Sequence, residues 1–331
     1  MAEYRSWAVG QRIARFGAWF VLWCGATALA QPLTIAVSKT NLSLPLYVAQ
    51  AKGLFAAEGV DVKLAECLGG VRCMAELTSG KADLCTSSEI VGALQSFQRT
   101  DFALVASFVG SGQDVNLLTK KSSGIKSWPD LAGKRVATVK GTSAHYYLDA
   151  ALLFNGVATK SVEIVPLPPE QVGPALVSGK VDAAAIWEPF AFETRRTLGS
   201  DAQQLPPERI YTTTFNLYVM RNTLKGRQQD VVKVLRALER AEKFITANPA
   251  EAQATLRTAL NTDQAFIDAV WRNYDYRLSL SQSLVSTMEG QARWAVRGGH
   301  VPAGAVPGNL LDIIEVGPLR QVNPAVITIA K

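Results

Sequence analysis

Two short segments of the chain repeat the same local pattern. Residues 77–83 read LTSGKAD, and residues 176–182 read LVSGKVD. In each segment an apolar helix end meets a glycine that stops the helix, and a lysine and an aspartate then lead into an apolar run of strand length. The first run ends in TSSE at residues 86–89, and the second ends in WEPF at residues 187–190. Because ligands of open α/β sheets lie beyond the carboxyl ends of the strands, the repeat predicts two similar lobes around a shared cleft.

The sequence before each repeat is also duplicated in order. Strand-like runs start at Leu33 and Arg135, and Leu-Phe pairs follow at residues 54–55 and 153–154. The spacing from each pair to the next repeat is the same, which supports a duplication. Alternating strand and helix signals predict an α/β protein with mostly parallel, doubly wound sheets.

The C-terminal part of the chain is predicted to return to the first lobe. An extended crossover over residues 211–221 precedes apolar residues that recur at helical spacing. We therefore predict that residues 31–118 and 216–331 form one discontinuous lobe with a helical C-terminal region, and that residues 119–215 form the second. Two crossing strands would make a hinge. A chain of 331 residues that is 48% hydrophobic is long and apolar enough for two such cores.

Residues 1–30 have the pattern of a cleavable secretory signal. Arg12 and Arg15 precede the apolar run at residues 16–23, and residues 28–30 read ALA, a small-x-small cleavage site. The alternative is an uncleaved anchor, although the apolar run is short for a membrane span. Without this segment the formal charge falls from +6 to about +4, which suits an anionic small molecule or a negative surface. The lysines and arginines form no run dense enough to indicate nucleic acid, so we expect an exported, periplasmic protein.

The remaining cysteines are Cys67, Cys73 and Cys85. Export permits disulfides, and Cys67 at a strand end lies close in sequence to Cys73 at a helix start. A local disulfide between these two is one outcome, and two free thiols are the other. Cys85 falls within a strand and is expected to be buried. Because the chain has no Cys-x-x-Cys motif and only two histidines, we expect no metal site.

Several motifs in a fixed order resemble a known family. They are KGLF at 52–55, GVDV at 59–62, the two Gly-Lys-x-Asp units, DLAGKRV at 130–136 and WEPF at 187–190. Together they resemble the nitrate/sulfonate/taurine-type substrate-binding proteins of bacterial ABC importers, in the thiamin-pyrimidine-synthase-like superfamily. The resemblance covers roughly residues 33–324. It implies a type II periplasmic-binding-protein fold whose lobes close on a ligand by hinge bending and then dock on a membrane permease. We also expect a monomer without a cofactor.

Helix starts at the predicted cleft are candidate anion sites. Thr142 and Ser143 follow a strand and open a helix, so free backbone N–H groups, the helix dipole and two hydroxyls favour a negative group there. The alternative is that Thr142 only caps the helix. Gly70 precedes the corresponding helix of the first lobe, where a tight turn is the alternative. The loop at residues 38–41 contributes Thr40 and Asn41 as further candidates.

Strand ends supply the other candidates. Thr86, Ser87 and Ser88 form a polar wall, although Ser88 has helix capping as its simpler role. Trp187 is expected to flank the ligand by stacking or apolar contact, with a place in the core as the alternative. Glu188 either approaches the ligand or supports a helix N-terminus. Asn216 lies on the crossover, from which it reaches the hinge side of the cleft.

An enzyme on the same fold is the main alternative function. Relatives of the family include a desulfinase with a catalytic cysteine and a thiamin-pyrimidine synthase with a cysteine-rich segment. Residues 38–41 hold no cysteine, and the chain has neither such a segment nor a Gly-x-Ser-x-Gly elbow. We expect a non-enzymatic protein that captures a sulfonate, nitrate, taurine, an aromatic acid or a pyrimidine. A sensory module that presents its ligand to a receptor is the third alternative.

Overall fold

The computed structural model describes residues 1–3 and 31–330, so the predicted signal sequence lies almost entirely outside the described residues. The unit from Pro32 onward contains the elements that follow. Its strands are β1 Leu33–Ser38, β2 Val62–Cys67, β3 Leu84–Ser88, β4 Phe102–Ser111, β5 Val115–Lys120, β6 Arg135–Thr138, β7 Glu163–Pro166, β8 Ala183–Trp187, β9 Ala202–Gln204 and β10 Thr213–Met220. Its α-helices are α1 Leu44–Ala51, α2 Leu54–Ala57, α3 Gly70–Thr78, α4 Glu89–Gln95, α5 Ser143–Phe154, α6 Pro169–Val177, α7 Phe190–Leu198, α8 Arg221–Ala247, α9 Pro249–Leu260, α10 Gln264–Val270, α11 Gln282–Arg297 and α12 Gly317–Arg320.

The strands form two five-stranded sheets with the same topology. The first has the order β2-β1-β3-β10-β4 and the second β7-β6-β8-β5-β9. In each sheet the first three strands are parallel, and the fourth runs antiparallel to both of its neighbours. We call the first sheet with the helices that pack on it the first half, and the second sheet with its helices the second half. The predicted α/β class with two doubly wound sheets is confirmed.

The antiparallel strand of each sheet comes directly from the chain that crosses between the halves. The chain passes from the first sheet to the second at residues 112–114 and returns at residues 205–212. The predicted lobe limits at 118/119 and 215/216 instead fall inside β5 and β10. The difference arises because the crossing segments themselves pair into the sheets. A backbone that continues into a ladder satisfies its N–H and C=O groups as soon as it reaches the sheet.

Two hydrophobic cores correspond to the two halves. The first draws its buried residues from 33–109 and from 215–319, and the second from 115–211. The predicted apolar stripe on α8, which includes Val231, Val234, Leu235 and Leu238, is fully buried in the first core. Within the described ranges, none of the helices combines the length and hydropathy needed to span a bilayer.

The aspartates of the two repeats have matching structural roles. Asp83 Oδ2 accepts a hydrogen bond from the backbone N–H of Thr34 at 2.9 Å, and Asp182 Oδ2 accepts one from the N–H of Arg135 at 2.9 Å. Thr34 and Arg135 lie at the beginnings of β1 and β6, where each strand enters its sheet. The Arg135 guanidinium also pairs with Asp182, which holds the pKa of that carboxyl below its usual range. In each half the repeat therefore ties the start of one strand to the start of its parallel neighbour, β3 to β1 and β8 to β6, at the edge opposite their carboxyl ends.

Loss of the Asp83 carboxylate is expected to destabilise the protein. Asp83→Ala leaves the partly buried N–H of Thr34 without its acceptor, which costs about 1 to 2 kcal/mol of unfolding free energy. Asp83→Asn keeps a carbonyl oxygen in place and is expected to lose less than half of that amount. Urea unfolding of the three proteins measures the difference. Equal stability of the alanine variant and the parent would contradict this role.

Candidate ligand-binding site

A small cavity lies between the carboxyl edges of the two sheets. Its volume is about 20 Å³, which is room for one or two waters. The first half lines it with Ser38, Thr40, Leu42, Gly70, Ser88, Val91 and Phe215, and the second half with Thr142, Ser143 and Trp187, together with Asp114 of the crossover. Six of the predicted site residues are therefore brought together here: Thr40, Gly70, Ser88, Thr142, Ser143 and Trp187.

The starts of two helices meet at this cavity. Gly70 begins α3 and Ser143 begins α5, and both residues line the wall. The first N–H groups of a helix have no intrahelical acceptor, so each start offers donors and the positive end of a helix dipole. The Ser143 hydroxyl has no hydrogen-bond partner in the described part of the chain. Two converging helix starts form an arrangement suited to a tetrahedral or planar oxyanion.

The start of α3 is held in place by a disulfide and by a close backbone contact. Cys67, the last residue of β2, is joined to Cys73 in the first turn of α3, with a Cα–Cα distance of 5.7 Å. A Cβ added to Gly70 would lie 2.3 Å from the Ser87 Oγ and 3.0 Å from the Ser87 Cα. Only glycine at this position lets α3 approach the end of β3 so closely. Cys85 is a buried free thiol, and burial raises its pKa far above the usual value.

Trp187 makes the contact between the halves at the cavity. Its side chain is 7% exposed, and a Cβ added to Gly69 would lie 3.5 Å from the indole ring. Phe190 packs edge-on against the same ring, with centroids 6.2 Å apart. Trp187 is thus both part of the second core and part of the cavity wall, and its contact with a ligand stays a prediction.

Two hydroxyls that were predicted as helix caps do not make that hydrogen bond. Ser88 and Thr142 occupy the residue before α4 and α5, but neither side chain accepts a hydrogen bond from its helix. The Thr142 Oγ1 instead donates to the carbonyl of Val139 at 2.6 Å. The expectation of side-chain capping at these two positions was wrong, and at Thr142 the hydroxyl bonds a carbonyl of the preceding turn instead.

Five predicted site residues lie behind the cavity wall instead of in it: Asn41, Thr86, Ser87, Glu188 and Asn216. The Thr86 Oγ1 accepts the backbone N–H of Ser38 at 2.9 Å and so ties β3 to the end of β1. Asn216 Nδ2 donates to the carbonyl of Ser87 at 3.3 Å, and its Oδ1 accepts from the hydroxyl of Ser107. These five residues do not line the cavity, and the hydrogen bonds of Thr86 and Asn216 tie together the strand ends that form its wall.

Glu188 is fully engaged within the second half. Its Oε1 accepts from Arg195 Nη2 at 2.7 Å and from Asn116 Nδ2 at 3.2 Å, while Oε2 accepts the N–H of Phe192 in the first turn of α7. Burial raises the pKa of Glu188, and Arg195 opposes that rise. The side chain therefore supports a helix N-terminus, which was the alternative role posed for it. Only its backbone carbonyl reaches across, to accept the hydroxyl of Thr40 at 3.2 Å.

Asp114 is the main cavity residue that the sequence did not indicate. It is 2% exposed and lies in the crossover between β4 and β5. Its Oδ1 accepts the hydroxyl of Tyr274 at 2.7 Å. Burial raises the pKa of Asp114 to about 7, Glu188 adds to that rise, and the bond from Tyr274 opposes it. No motif marks this position in the sequence.

Both histidines of the chain meet away from the cavity wall. His145 and Asp149 of α5 lie beside His300, and one possible ligand atom from each falls within 4.8 Å of the others. Asp149 Oδ2 already accepts the Trp294 indole N–H at 2.9 Å, and His145 Nδ1 accepts the N–H of Gly141 at 3.4 Å. Burial lowers the pKa of His145 to about 4, against the effect of Asp149. The group joins α5 to the α11 region through ring packing.

The sequence is similar to a known protein family. The NMT1/THI5-like family matches residues 41–252, which is more than half of the chain. The chain belongs to this family. The taurine-binding periplasmic protein of Escherichia coli (strain K12) is 30% identical over 227 residues, which cover 66% of this chain and 69% of that protein.

Solved structures share the fold of this NMT1/THI5-like protein. The alkanesulfonate-binding protein SsuA from Xanthomonas axonopodis pv. citri, bound to MOPS, superposes with a TM-score of 0.77 at 21% identity, over 86% of this chain and 98% of its own. The periplasmic nitrate-binding protein NrtA from Synechocystis PCC 6803 superposes with a TM-score of 0.68 at 14% identity, over 89% of each chain. The predicted periplasmic-binding-protein fold and the resemblance to nitrate, sulfonate and taurine binding proteins are confirmed.

Substitution of Gly70 tests how tightly this NMT1/THI5-like protein packs at the site. Gly70→Ala forces the start of α3 away from Ser87 and is expected to lose about 2 kcal/mol of unfolding free energy by overpacking. Gly226→Ala in α8 is the matched control, because a Cβ there meets nothing within 4 Å. Alanine is the better helix former, so the control is expected to be neutral or slightly stabilising. Denaturant unfolding compares the two, and equal stability of both variants would refute the close approach.

Proposed function

We propose that this protein is an exported solute-binding protein that captures a small sulfonate between its two halves and delivers it to an ABC permease. The observation that carries the proposal is the convergence of two helix starts, one from each half, on a single cavity. An oxyanion placed there receives donors from both halves at once. The likeness to a taurine-binding protein supports the same ligand class.

The apolar part of the wall favours an organic oxyanion over nitrate. Leu42, Val91, Trp187 and Phe215 line the same cavity as the helix starts. Nitrate has no apolar surface to bury against them, whereas the carbon chain of a sulfonate does. We therefore place sulfonates ahead of inorganic oxyanions.

Capture is proposed to proceed by closure of the halves. The cavity is too small for an organic ligand as it stands, so the walls separate to admit one. The Thr40–Glu188 hydrogen bond and the Arg72–Glu170 ion pair at 2.7 Å join the halves around it. A ligand that contacts both walls binds the closed form more tightly and shifts the population toward it. We also propose that the protein is a monomer, that it is located in the periplasm and that it docks on a permease.

Binding without turnover suits the residues at the wall. None of the eleven lining residues is a cysteine, histidine or lysine. Cys85 is buried in the first core, and the histidine pair packs elsewhere. A nucleophile with an adjacent base, which covalent catalysis needs, is therefore not assembled among the residues that line the cavity.

A ligand screen by thermal shift tests the proposal. The protein is first unfolded and refolded by dialysis so that any ligand retained from the cell is lost. At least one short sulfonate at 100 times its dissociation constant is expected to add roughly 2.7 kcal/mol of stability, while nitrate, benzoate and a pyrimidine add less. Trp187→Ala is expected to weaken the shift, because it removes apolar contact at the wall. Refolded protein that responds to no sulfonate would rule the proposal out.

A further inference from the structure

Only one of the two Asp114 carboxylate oxygens accepts a hydrogen bond from the described residues. Asp114 lines the cavity and is 2% exposed. Its Oδ1 accepts the Tyr274 hydroxyl, whereas Oδ2 accepts no hydrogen bond from the described residues. Because Asp114 lines the cavity, this oxygen is available to accept a hydrogen bond from a ligand.

The surroundings of Asp114 contain no free positive charge. Its ionisable neighbours are the Glu188 carboxylate and the hydroxyls of Tyr274 and Tyr276. The nearby guanidinium of Arg195 lies 2.7 Å from Glu188 and is matched by that carboxylate. The eleven residues that line the cavity include no lysine, arginine or histidine. A pKa near 7 is consistent with a carboxyl that lacks a counter-charge when the cavity is empty.

A purely structural role would not require this arrangement. Anchoring Tyr274 uses Oδ1 alone, and the contact of the crossover with β8 is made by the backbone, where the Asp114 carbonyl accepts the N–H of Glu188 at 3.3 Å. An asparagine would serve both purposes without burying an ionisable group. The remaining oxygen and its charge therefore point to the ligand.

We propose that Asp114 binds the cationic nitrogen of a zwitterionic ligand whose oxyanion end lies at the starts of α3 and α5. The inference rests on the proposed function and narrows it from sulfonates in general to short aminosulfonates. Trp187 and Phe215 line the same cavity, and aromatic faces add to the binding of an ammonium group. Asp114 is thus the residue that selects the cation-bearing ligand.

The matched ligand pair is taurine and propane-1-sulfonate. The two compounds have the same length and the same sulfonate group. Taurine ends in an ammonium group where propane-1-sulfonate ends in a methyl group. Isothermal titration calorimetry at pH 8 is expected to show at least tenfold tighter binding of taurine to the parent protein, because only taurine pairs with Asp114.

Asp114→Asn is expected to remove that preference. It keeps an acceptor for Tyr274 and is checked for folding by circular dichroism. Taurine affinity is expected to fall at least tenfold, while propane-1-sulfonate binds as well as before or more tightly. Asp61→Asn, at an exposed position beside the start of β2, is the control and is expected to keep the parent preference.

The outcomes separate the two proposals. Equal or tighter binding of propane-1-sulfonate by the parent protein would overturn the inference and leave sulfonate capture standing. A preference for taurine that survives in Asp114→Asn would also overturn it. Binding of neither compound would remove both proposals. If the variant does not fold, the comparison of the two ligands on the parent protein still decides the inference.

Discussion

Parallel strand pairing is the constraint on which the rest of this structure depends. Neighbouring parallel strands end at the same edge of a sheet, so the residues that close β1 and β3 in the first half, and β8 in the second, all arrive at the cavity side. The helices that follow β2 and β6 begin there as well, which directs their free N–H groups to the same place. At the opposite edge, Asp83 and Asp182 hold the strand starts in register. The duplicated aspartates fix the starts of the strands, and the opposite ends of the strands line the cavity.

The cavity is chemically asymmetric. Helix starts and hydroxyls supply donors to a negative group, while Asp114 and two aromatic rings form a region suited to a positive or apolar group. Glu188 and Arg195 form an ion pair that does not line the cavity, which leaves Asp114 as the ionisable side chain of the lining. This division follows from the topology, because the crossover that carries Asp114 enters between the two sheets.

Much of the frame could be predicted from the sequence because its determinants are local. Glycine helix stops, strand-length apolar runs and their repetition specified both sheets, and the stripe on α8 specified the return to the first half. The lobe limits were misplaced because the crossing strands β5 and β10 carry no signal of their sheet membership. Membership depends on pairing with strands that lie far away in the sequence.

The site could be predicted only in part. Residues at helix starts and strand ends, such as Gly70 and Trp187, reach the cavity because their position follows from topology. Ser87 and Ser88 are equivalent in sequence, yet alternation along β3 brings only Ser88 to the wall. Asp114 sits in a segment without a motif, and its importance arises from burial and from the absence of a nearby free cation among the described residues. Such properties depend on tertiary contacts that no single segment records.

Closure around the ligand is the central claim, and a distance measurement across the cleft tests it most directly. Val71 and Gln171 are exposed and adjoin the Arg72–Glu170 pair that joins the halves. Spin labels at Val71→Cys and Gln171→Cys allow double electron–electron resonance to measure their separation with and without taurine. We expect a broad distribution extending to longer distances in the free protein and a single short distance at saturating taurine. Identical distributions in both states, under conditions where calorimetry shows taurine bound, would contradict it.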